Sequence, residues 1–327
     1  MRDGDPGFGR RMLPYVRVDD LVIFGLHLHA FGLLVVLAIA VGSALAKRQA
    51  RRRGYDLAKL ESFIGWMLLV GFVFAHALDE LLYRPHLALA KPWTLLFFWQ
   101  GIGSFSGFVG ALVGVVLWRN FDTRPFALGP LELTRLVRRQ KPLPILPFAD
   151  VILSVFPVAW IFGRSGCSLA HDHPGVSAPD GALLAVAYPA PDPAVIDGPG
   201  AHAALGPIKM IAGQYPRYDL GVLELAVTIV VALACVALWR KRRAAGTYVV
   251  LVCATYAPLR FGLDFLRIQS TDVRYAGLTP AQWLCIVLFV FTLGLLRHVM
   301  RLHRSGIDPA LAVLDPAKTP VVPTLGG

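Results

Sequence analysis

Charged residues are scarce in this sequence. Asp, Glu, Lys and Arg together make up 16% of the 327 residues, whereas an ordinary soluble domain carries about 25%. Hydrophobic residues make up 56% of the chain. This shortage of solvating groups excludes an ordinary soluble domain. Because the apolar residues fall in long segments, and a helix satisfies its backbone hydrogen bonds internally, the composition predicts an all-α integral membrane protein.

Acidic residues are rarer than basic ones: 21 Asp and Glu stand against 32 Lys and Arg, which gives a net charge of +11. Taken alone, such an excess would allow a nucleic-acid-binding protein. The basic residues cluster in short runs beside apolar segments, as residues that set the orientation of membrane proteins do. We therefore expect no nucleic-acid partner.

Cysteine is also rare, with four residues in the chain. Cys235, Cys253 and Cys285 fall inside apolar segments, where a thiol is usually a small hydrophobic side chain. This pattern does not indicate a disulfide framework. Only Cys167 lies close in sequence to other reactive side chains.

Seven apolar segments approach or reach the roughly 20 residues that a helix needs to cross a membrane. They cover residues 21–46, 63–83, 104–118, 145–163, 220–239, 248–266 and 281–296. Basic residues concentrate after the first, third, fifth and seventh segments and are few in the alternate loops. Because positive residues stay on the cytoplasmic side, we expect the N-terminus outside and the C-terminus inside.

Three parts follow from this topology. We predict an extracytoplasmic N-terminal segment at residues 1–20, a seven-helix transmembrane domain at 21–304 and a flexible cytoplasmic tail at 305–327. Residues 166–217 are rich in Pro, Ala, Gly and Asp and show little apolar periodicity. Because so long a loop in a compact protein is usually functional or disordered, we expect it to form a small extracytoplasmic cap.

The most polar motif follows the fourth segment, where residues 163–175 read G-R-S-G-C-S-L-A-H-D-H-P-G. Ionisable groups at the end of a membrane helix are costly, which indicates a functional site. Two interpretations are open for Cys167, His171, Asp172 and His173. An imidazole beside a carboxylate suits acid–base work, whereas thiol and imidazole groups also bind metals. The spacing C-x3-H-x-H lacks the paired pattern of structural zinc sites, so we expect no metal.

The sixth segment carries a second set of polar residues. Tyr256, Arg260, Asp264 and Arg267 are spaced four, four and three apart, which places them on one helix face. A charged stripe of this kind does not face lipid. An ion pair between Arg260 and Asp264 is the plain structural interpretation. The charges do not balance, however, and Arg164 is expected at a similar depth, so we predict a bound anionic group.

Other polar residues are expected in the outer half of the bundle: His27, His29, His76, Asp79, Glu80 and Glu224. Each alone is typical of a packing residue, but together they indicate a hydrated outer half. Glycines also open the third segment, at Gly101, Gly103, Gly107 and Gly110. Such a run allows either close helix packing or close approach of a ligand.

The motif at Gly163 resembles the signature G-R-x-G-N-x-x-N-x-E-x-x-G of the bacterial prolipoprotein diacylglyceryl transferase family. The similarity runs from about His29 to Leu296, through H-A-F-G-L at His29, G-I-G-S-F-S-G at Gly101, P-R-Y-D-L-G-V-L-E at Pro216 and Y-A-P-L-R-F-G-L-D-F-L-R at Tyr256. The resemblance implies seven helices with the N-terminus outside, in the bacterial inner membrane, with the active site toward the periplasm. It also implies transfer of a diacylglyceryl group from phosphatidylglycerol to the lipobox cysteine of a prolipoprotein, with release of glycerol phosphate.

The resemblance implies partners and site residues as well. The partners are phosphatidylglycerol, a prolipoprotein peptide and membrane lipids, with no cofactor. Arg164 and Arg260 match the family's essential arginines, and we predict that they hold the lipid phosphate. The expected substrate-binding residues are Tyr256, Asp264, Arg267, Glu224, Ser106, Gly175, His76 and His29.

The chain also departs from the family pattern. The family's catalytic histidine falls on Ser106, its early tyrosine on Phe31, its signature asparagine on Cys167 and its signature glutamate on Asp172. A serine is no base at neutral pH without a partner. We therefore predict that His171 or His173, oriented by Asp172, deprotonates the acceptor thiol, and that Cys167 is either a nucleophile or a filler.

Two other functions fit the same residues. One is a phospholipid-dependent transferase with a different acceptor, which the departures at Ser106, Phe31 and Cys167 favour. The other is a non-catalytic phospholipid-binding membrane protein that keeps only the arginines.

Overall fold

The computed structural model describes residues 12–18, 21–23, 26–83, 85–96, 103–128, 131–179, 181–191, 208–211, 213–240, 243–268 and 274–305. Most of them are helical. The helices are α1 (Ala30–Arg53), α2 (Leu57–Tyr83), α3 (Pro85–Ala90), α4 (Ser104–Asn120), α5 (Leu146–Ala170), α6 (Leu220–Leu238), α7 (Thr247–Leu263) and α8 (Pro280–Arg304). Short 3-10 turns lie at Pro92–Leu96 and Asp264–Leu266.

Six of the described helices are long and apolar enough to cross a membrane: α1, α2, α5, α6, α7 and α8. They confirm the prediction of an integral membrane protein built mainly from helices. The third predicted segment corresponds to α4, which has 17 residues and is shorter than the other six.

The expectation of a purely helical protein is wrong, because the structure contains short strands. They are β1 (Leu13–Val18), β2 (Leu21–Ile23), β3 (Leu26–Leu28), β4 (Phe121–Leu128), β5 (Leu131–Arg138), β6 (Pro174–Ser177), β7 (Ala185–Tyr188), β8 (Ile208–Ile211) and β9 (Tyr215–Asp219). Five of them form one sheet in the order β6-β9-β7-β1-β8. The pairs β2–β3 and β4–β5 form separate antiparallel hairpins.

The five-stranded sheet joins two regions that the sequence separates. Strand β1, from the predicted N-terminal segment, pairs in parallel with β7 and antiparallel with β8, both from the predicted cap. The sheet could not be predicted from the residue pattern, because all four residues of β7 are buried and show no alternation between polar and apolar positions.

Two predicted boundaries are also wrong. Helix α1 begins at Ala30, because residues 21–23 and 26–28 form the paired strands β2 and β3; hydropathy alone does not separate a short apolar strand from a helix. Helix α5 continues to Ala170, so residues 166–170 are helical and do not belong to a loop. The helix ends where His171 adopts a left-handed backbone conformation, with φ of 50°.

The chain divides into two compact units. The first contains Met1–Gly42, Val155–Trp239 and Thr255–Ile286, and the second contains Ser43–Ser154, Arg240–Ala254 and Val287–Gly327. In the first unit, Tyr15, Val186 and Tyr188 pack together as a buried cluster of the sheet.

In the second unit, the rings of Phe63, Trp118 and Phe148 contact one another in the core. Helices α2 and α4 also approach closely there, since a Cβ atom added to Gly110 would lie 2.7 Å from the backbone oxygen of Val70. For Gly110, helix packing is therefore the interpretation that the structure supports.

Candidate functional site

Two guanidinium groups from distant parts of the chain meet at one carboxylate in the first unit. Nη2 of Arg164 in α5 lies 2.6 Å from Oε2 of Glu224 in α6. Nε of Arg260 in α7 lies 3.2 Å from Oε1 of the same carboxylate. All three side chains are buried, with 2%, 3% and 8% of Arg164, Glu224 and Arg260 exposed. The predicted meeting of the two arginines is therefore present, with Glu224 between them.

A second carboxylate extends this cluster. Nη1 of Arg260 donates a hydrogen bond to Oδ1 of Asp264 over 2.6 Å, and Nε of Arg267 lies 3.0 Å from the same oxygen. The hydroxyl of Thr279 donates to the other oxygen of Asp264. We call Arg164, Glu224, Arg260, Asp264 and Arg267 the arginine network.

The arginine network is not neutral. Three guanidinium groups face two carboxylates, which leaves one surplus positive charge among these described residues. Nε of Arg164 is buried and has no hydrogen-bond partner among the described residues. A buried N–H group without a hydrogen-bond partner is costly. The arrangement therefore suits a bound group with one negative charge.

Two aromatic side chains border the network. The guanidinium of Arg164 lies over the ring of Trp160, with its central carbon 4.9 Å from the ring centroid, which is within range of a cation–π interaction. Tyr256, four residues before Arg260 in α7, interacts electrostatically with both arginines and Glu224. The four side chains that the sequence predicts on one face of this segment therefore lie close together.

The end of α5 brings Cys167, Asp172 and His173 together. Cys167 is buried, with 8% of the residue exposed, and its Sγ lies 3.7 Å from Nη1 of Arg164. Nδ1 of His173 and Oδ1 of Asp172 form a hydrogen bond. Each of the three offers one potential metal-ligand atom, and these atoms lie within 4.8 Å of one another. We call Cys167, Asp172 and His173 the thiol cluster.

His171 is turned toward the sheet. Its Nδ1 lies 2.6 Å from Oδ2 of Asp219, and its Nε2 lies 3.0 Å from the backbone oxygen of Val16. Its ring stacks on that of Tyr15, with centroids 3.9 Å apart. The expectation that Asp172 orients His171 is wrong. The left-handed backbone conformation at His171 directs its ring away from Asp172, and the ring forms its hydrogen bond with Asp219 instead. Both ring nitrogens face oxygen acceptors, so His171 is not open to an acceptor thiol.

Asp219 was missed by the sequence reasoning, although it organises this corner of the first unit. Its carboxylate accepts hydrogen bonds from the hydroxyl of Tyr188 over 3.0 Å and from the backbone N–H of Val222 over 3.2 Å. The second bond caps the N-terminus of α6, the helix that carries Glu224. An aspartate directly before an apolar helical run is a capping pattern that the sequence does contain.

Gly175, the last glycine of the motif, lies where two backbone segments pass closely. A Cβ atom added there would lie 2.5 Å from the oxygen of Tyr218 and 2.9 Å from that of Leu266. Gly175 also forms a β-bridge with Arg267. A glycine is therefore needed to bring strand β6 against the backbone of Arg267, a member of the arginine network.

The remaining predicted residues lie elsewhere. In the second unit, Ser106 is buried and donates a 3.5 Å hydrogen bond to Oδ1 of Asp79. His76 is buried there too, with Nε2 2.9 Å from the backbone oxygen of Thr94. In the first unit, His29 is exposed directly before α1. The side chain of His27 lies outside the described residues.

Comparison with known proteins gives a consistent result. The family model described as prolipoprotein diacylglyceryl transferase matches residues 20–298. The phosphatidylglycerol–prolipoprotein diacylglyceryl transferase of Azoarcus sp. is 26% identical over 284 residues, which cover 84% of this chain and 92% of that protein. The enzyme of the same name from Bordetella parapertussis is 26% identical over 295 residues, covering 87% and 96%.

A third relative with that name, from Helicobacter pylori, is 24% identical over 285 residues, which cover 85% of this chain and 90% of that protein. The family match extends over the arginine network, the thiol cluster and the six long apolar helices as far as residue 298 in α8. The chain belongs to the prolipoprotein diacylglyceryl transferase family, as its motif at residues 163–175 predicted.

Proposed function

We propose that this protein transfers a diacylglyceryl group from phosphatidylglycerol to the lipobox cysteine thiol of prolipoproteins and releases glycerol phosphate. Family membership supports the reaction. The single observation that carries the proposal for this chain is the concentration of positive charge where the buried Arg164 and Arg260 meet at the one carboxylate of Glu224.

That charge matches the donor lipid. A phosphodiester carries one negative charge, and the planar fork of an arginine binds two phosphate oxygens at once. Arg164 and Arg260 bind the lipid phosphate, and Glu224 keeps the two guanidinium groups together when no lipid is bound. Tyr256, Asp264 and Arg267 hold Arg260 in place, and Gly175 gives the motif its close approach to Arg267.

The reaction places new charge on the same phosphate. The acceptor sulfur attacks the glyceryl carbon that is bonded to the phosphate oxygen, so a C–S bond forms and a C–O bond breaks. The electron pair of the C–O bond goes to the leaving glycerol phosphate, which gains a second negative charge. Fixed positive groups aimed at developing charge lower the barrier, and this is the catalytic role of Arg164 and Arg260.

We assign the acceptor side of the reaction to the thiol cluster, because Cys167 lies beside Arg164. Ser106 and His29 stay predicted substrate-binding residues because they lie in motifs that resemble the family, and His76 stays one because it belongs to the polar residues of the predicted outer half. His171 acts in this proposal as a positioning residue, through Asp219 and the capped start of α6.

The finer topology is part of the proposal. Seven spans require α4 to cross the membrane along with the six long helices. The distribution of basic residues supports an N-terminus outside, a C-terminus inside and a cap at residues 171–217, after the end of α5, that faces the periplasm from the bacterial inner membrane. Residues 1–20 belong to the outer side and residues 305–327 form the cytoplasmic tail.

The test uses the full chain in phosphatidylglycerol vesicles with a lipobox peptide. We expect the peptide mass to increase by one diacylglyceryl group and glycerol phosphate to appear in equal amount. Arg260→Gln should lower turnover by at least about 100-fold, the loss typical of removing one charge-stabilising donor. Arg135→Gln, an exposed arginine of β5, is the matched control and should keep full turnover.

The second candidate is a phospholipid-dependent transferase with another acceptor, favoured by Ser106 in place of the family's histidine. It predicts that the peptide stays unmodified and that glycerol phosphate is released only when a membrane extract supplies the acceptor that takes the diacylglyceryl group. Binding of phosphatidylglycerol without any release of glycerol phosphate, with both peptide and extract present, would contradict both reactions and identify a non-catalytic lipid-binding protein.

A further inference from the structure

The thiol cluster combines three kinds of metal ligand at the end of α5. Thiolate, imidazole and carboxylate groups are the ligands that zinc binds in proteins. One potential ligand atom from each of Cys167, Asp172 and His173 lies within 4.8 Å of the others. The cluster is therefore more than a group of carboxylates, because it combines a buried thiol, a carboxylate and an imidazole.

The geometry leaves room for a small cation. Zinc binds its ligands at about 2.0–2.3 Å in a tetrahedron, so three ligand atoms need only a modest shift inward. Cys167 is fixed in α5, whereas the side chains of Asp172 and His173 are 39% and 23% exposed and have freedom to adjust. Three protein ligands leave the fourth position open, as catalytic zinc sites do.

We propose that Cys167, Asp172 and His173 hold a zinc-class divalent cation whose open position binds the acceptor thiol. This inference rests on the proposed function and adds to it the means of activating the acceptor. A thiol bound to such a cation loses its proton, and the thiolate is the nucleophilic form. The cation would therefore do the work that a general base does elsewhere.

The proposal accounts for the departures from the family pattern. Ser106 stands where the family has its catalytic histidine, and a hydroxyl does not deprotonate a thiol at neutral pH. Cys167 and Asp172 stand at two positions of the signature motif, for an asparagine and a glutamate. The thiol at residue 167, in place of an amide, and His173, at a position that the signature leaves unspecified, supply two ligands that the family signature lacks.

The charges at the site are compatible with a cation. The guanidinium of Arg164 lies near Cys167 and would repel it, but Glu224 pairs with that guanidinium at 2.6 Å. Ionised Cys167 and Asp172 together bring two negative charges, which offset a divalent cation. The contact between Cys167 and Arg164 also places an activated thiol next to the proposed phosphate site.

The transfer step balances without a redox change. The acceptor thiol binds the cation and its proton passes to water. Its sulfur then forms the C–S bond as the C–O bond to the phosphate breaks, with the electron pair leaving on glycerol phosphate. The product thioether is neutral and a weak ligand, so it leaves the cation and the fourth position opens again.

Our expectation of no metal came from the spacing C-x3-H-x-H, and the structure changes the ligand set. His171 is engaged by Asp219 and Val16 and is not a member. Asp172 takes its place, so the spacing becomes C-x4-D-H.

Binding is tested with Co²⁺ as the probe on purified full-length protein that has been stripped of metals by a chelator. We expect one Co²⁺ per chain with the charge-transfer absorption of a cobalt–thiolate bond. Cys167→Ser should abolish that absorption, whereas Cys253→Ser, the matched removal of another thiol, should keep it. Asp172→Asn and His173→Gln should each weaken Co²⁺ binding by about 10-fold or more.

Turnover separates the inference from the proposed function. Chelation should lower peptide modification and Zn²⁺ should restore it. Full turnover of the metal-free wild type would overturn the metal and leave the transferase. So would a wild type that binds no Co²⁺ while His173→Gln still loses turnover, and this result would identify acid–base work by His173. Stoichiometric Co²⁺ binding without glycerol phosphate release would refute the transferase and leave the metal site.

Discussion

Each of the two units contains a buried cluster of charged side chains, and the two clusters differ in balance. The arginine network of the first unit has one surplus positive charge. In the second unit, Asp150 is fully buried and pairs with Arg53 at 3.1 Å. Its other oxygen accepts hydrogen bonds from the backbone N–H groups of Tyr248 and Val249, at 2.7 and 3.4 Å. We call Asp150 and Arg53 the Asp150 pair.

The difference separates a structural role from a functional one. The Asp150 pair is neutral, and the N–H groups at the start of α7 use the rest of its hydrogen-bonding capacity, as a helix N-terminus does with an anion. The arginine network has similar side chains, but its guanidinium groups share carboxylates: Arg164 and Arg260 share Glu224, and Arg260 and Arg267 share Asp264. A neutral pair holds helices together, whereas guanidinium groups that share one carboxylate suit the binding of an anion.

Removal of Asp150 tests the structural role of the Asp150 pair, and we expect it to have the largest effect of the substitutions that test this comparison. Asp150→Ala leaves the Arg53 charge and two N–H groups buried without a partner. We expect the free energy of unfolding to fall by about 3–5 kcal/mol, the usual cost of breaking a buried pair. Thermal unfolding in detergent measures the loss, and transfer activity per folded molecule should stay near that of the wild type.

The control for Asp150→Ala is Asp122→Ala. Asp122 pairs with Arg139 at 3.1 Å but is 40% exposed, so its removal should cost less than about 1 kcal/mol. A large loss of turnover in folded Asp150→Ala protein would contradict the structural role of the Asp150 pair.

The same conservative exchange in both clusters sharpens the comparison. Lysine keeps the charge of arginine but loses the two-oxygen fork. Arg164→Lys should lower kcat/KM by about 100- to 1,000-fold, or about 3 kcal/mol in the barrier, with a small change in melting temperature. Arg53→Lys should do the reverse, with a lower melting temperature and unchanged kcat/KM. Equal kinetic losses in both variants would show that the surplus charge is not what matters.

The smallest effect is expected at Asp56, a capping residue outside both clusters. Partial burial raises the pKa of its carboxyl, but hydrogen bonds from the backbone N–H and the ammonium of Lys59 outweigh this and hold the pKa below its ordinary value of 3.8. The stabilisation is therefore complete above pH 3.8 and is lost as the pH falls through the lowered pKa. Asp56→Ala should cost about 1 kcal/mol at neutral pH.

Unfolding curves of wild type and Asp56→Ala measure this effect. The two should converge as the pH falls below 3.8, since the protonated wild-type carboxyl no longer accepts the hydrogen bonds as strongly. A difference that grows on acidification would contradict the assignment.

The arginine network could be predicted from the sequence because a charged side chain inside a membrane costs much free energy. Charges spaced along one face of a membrane helix must meet a partner, so Arg260, Asp264 and Arg164 were expected to converge. The identity of the bridging carboxylate was less certain, because Glu224 is one polar residue within a long apolar segment. Its role depends on how α5, α6 and α7 pack, which no local pattern encodes.

The surroundings of His171 could not be predicted in the same way. Asp172 is its neighbour in sequence, yet its partner Asp219 lies 48 residues away. The backbone conformation at His171 decides the direction of the ring, and the pairing of β6, β7 and β9 brings Asp219 to it. Contacts of this kind arise from the pairing of strands that are far apart in the sequence. The composition of the Pro- and Gly-rich segment does not predict these strands.

The position of β1 inside the five-stranded sheet has a consequence for biosynthesis. Leu13 pairs with Val186, and Tyr15 pairs with Ile211, so β1 leaves the ribosome long before its partner strands are made. Pairings so distant along the chain are slow to form. The sheet, and with it the hydrogen bond from His171 to Val16, therefore closes only after three of the long helices, α1, α2 and α5, have been synthesised. Insertion into the membrane precedes completion of the region beside the thiol cluster.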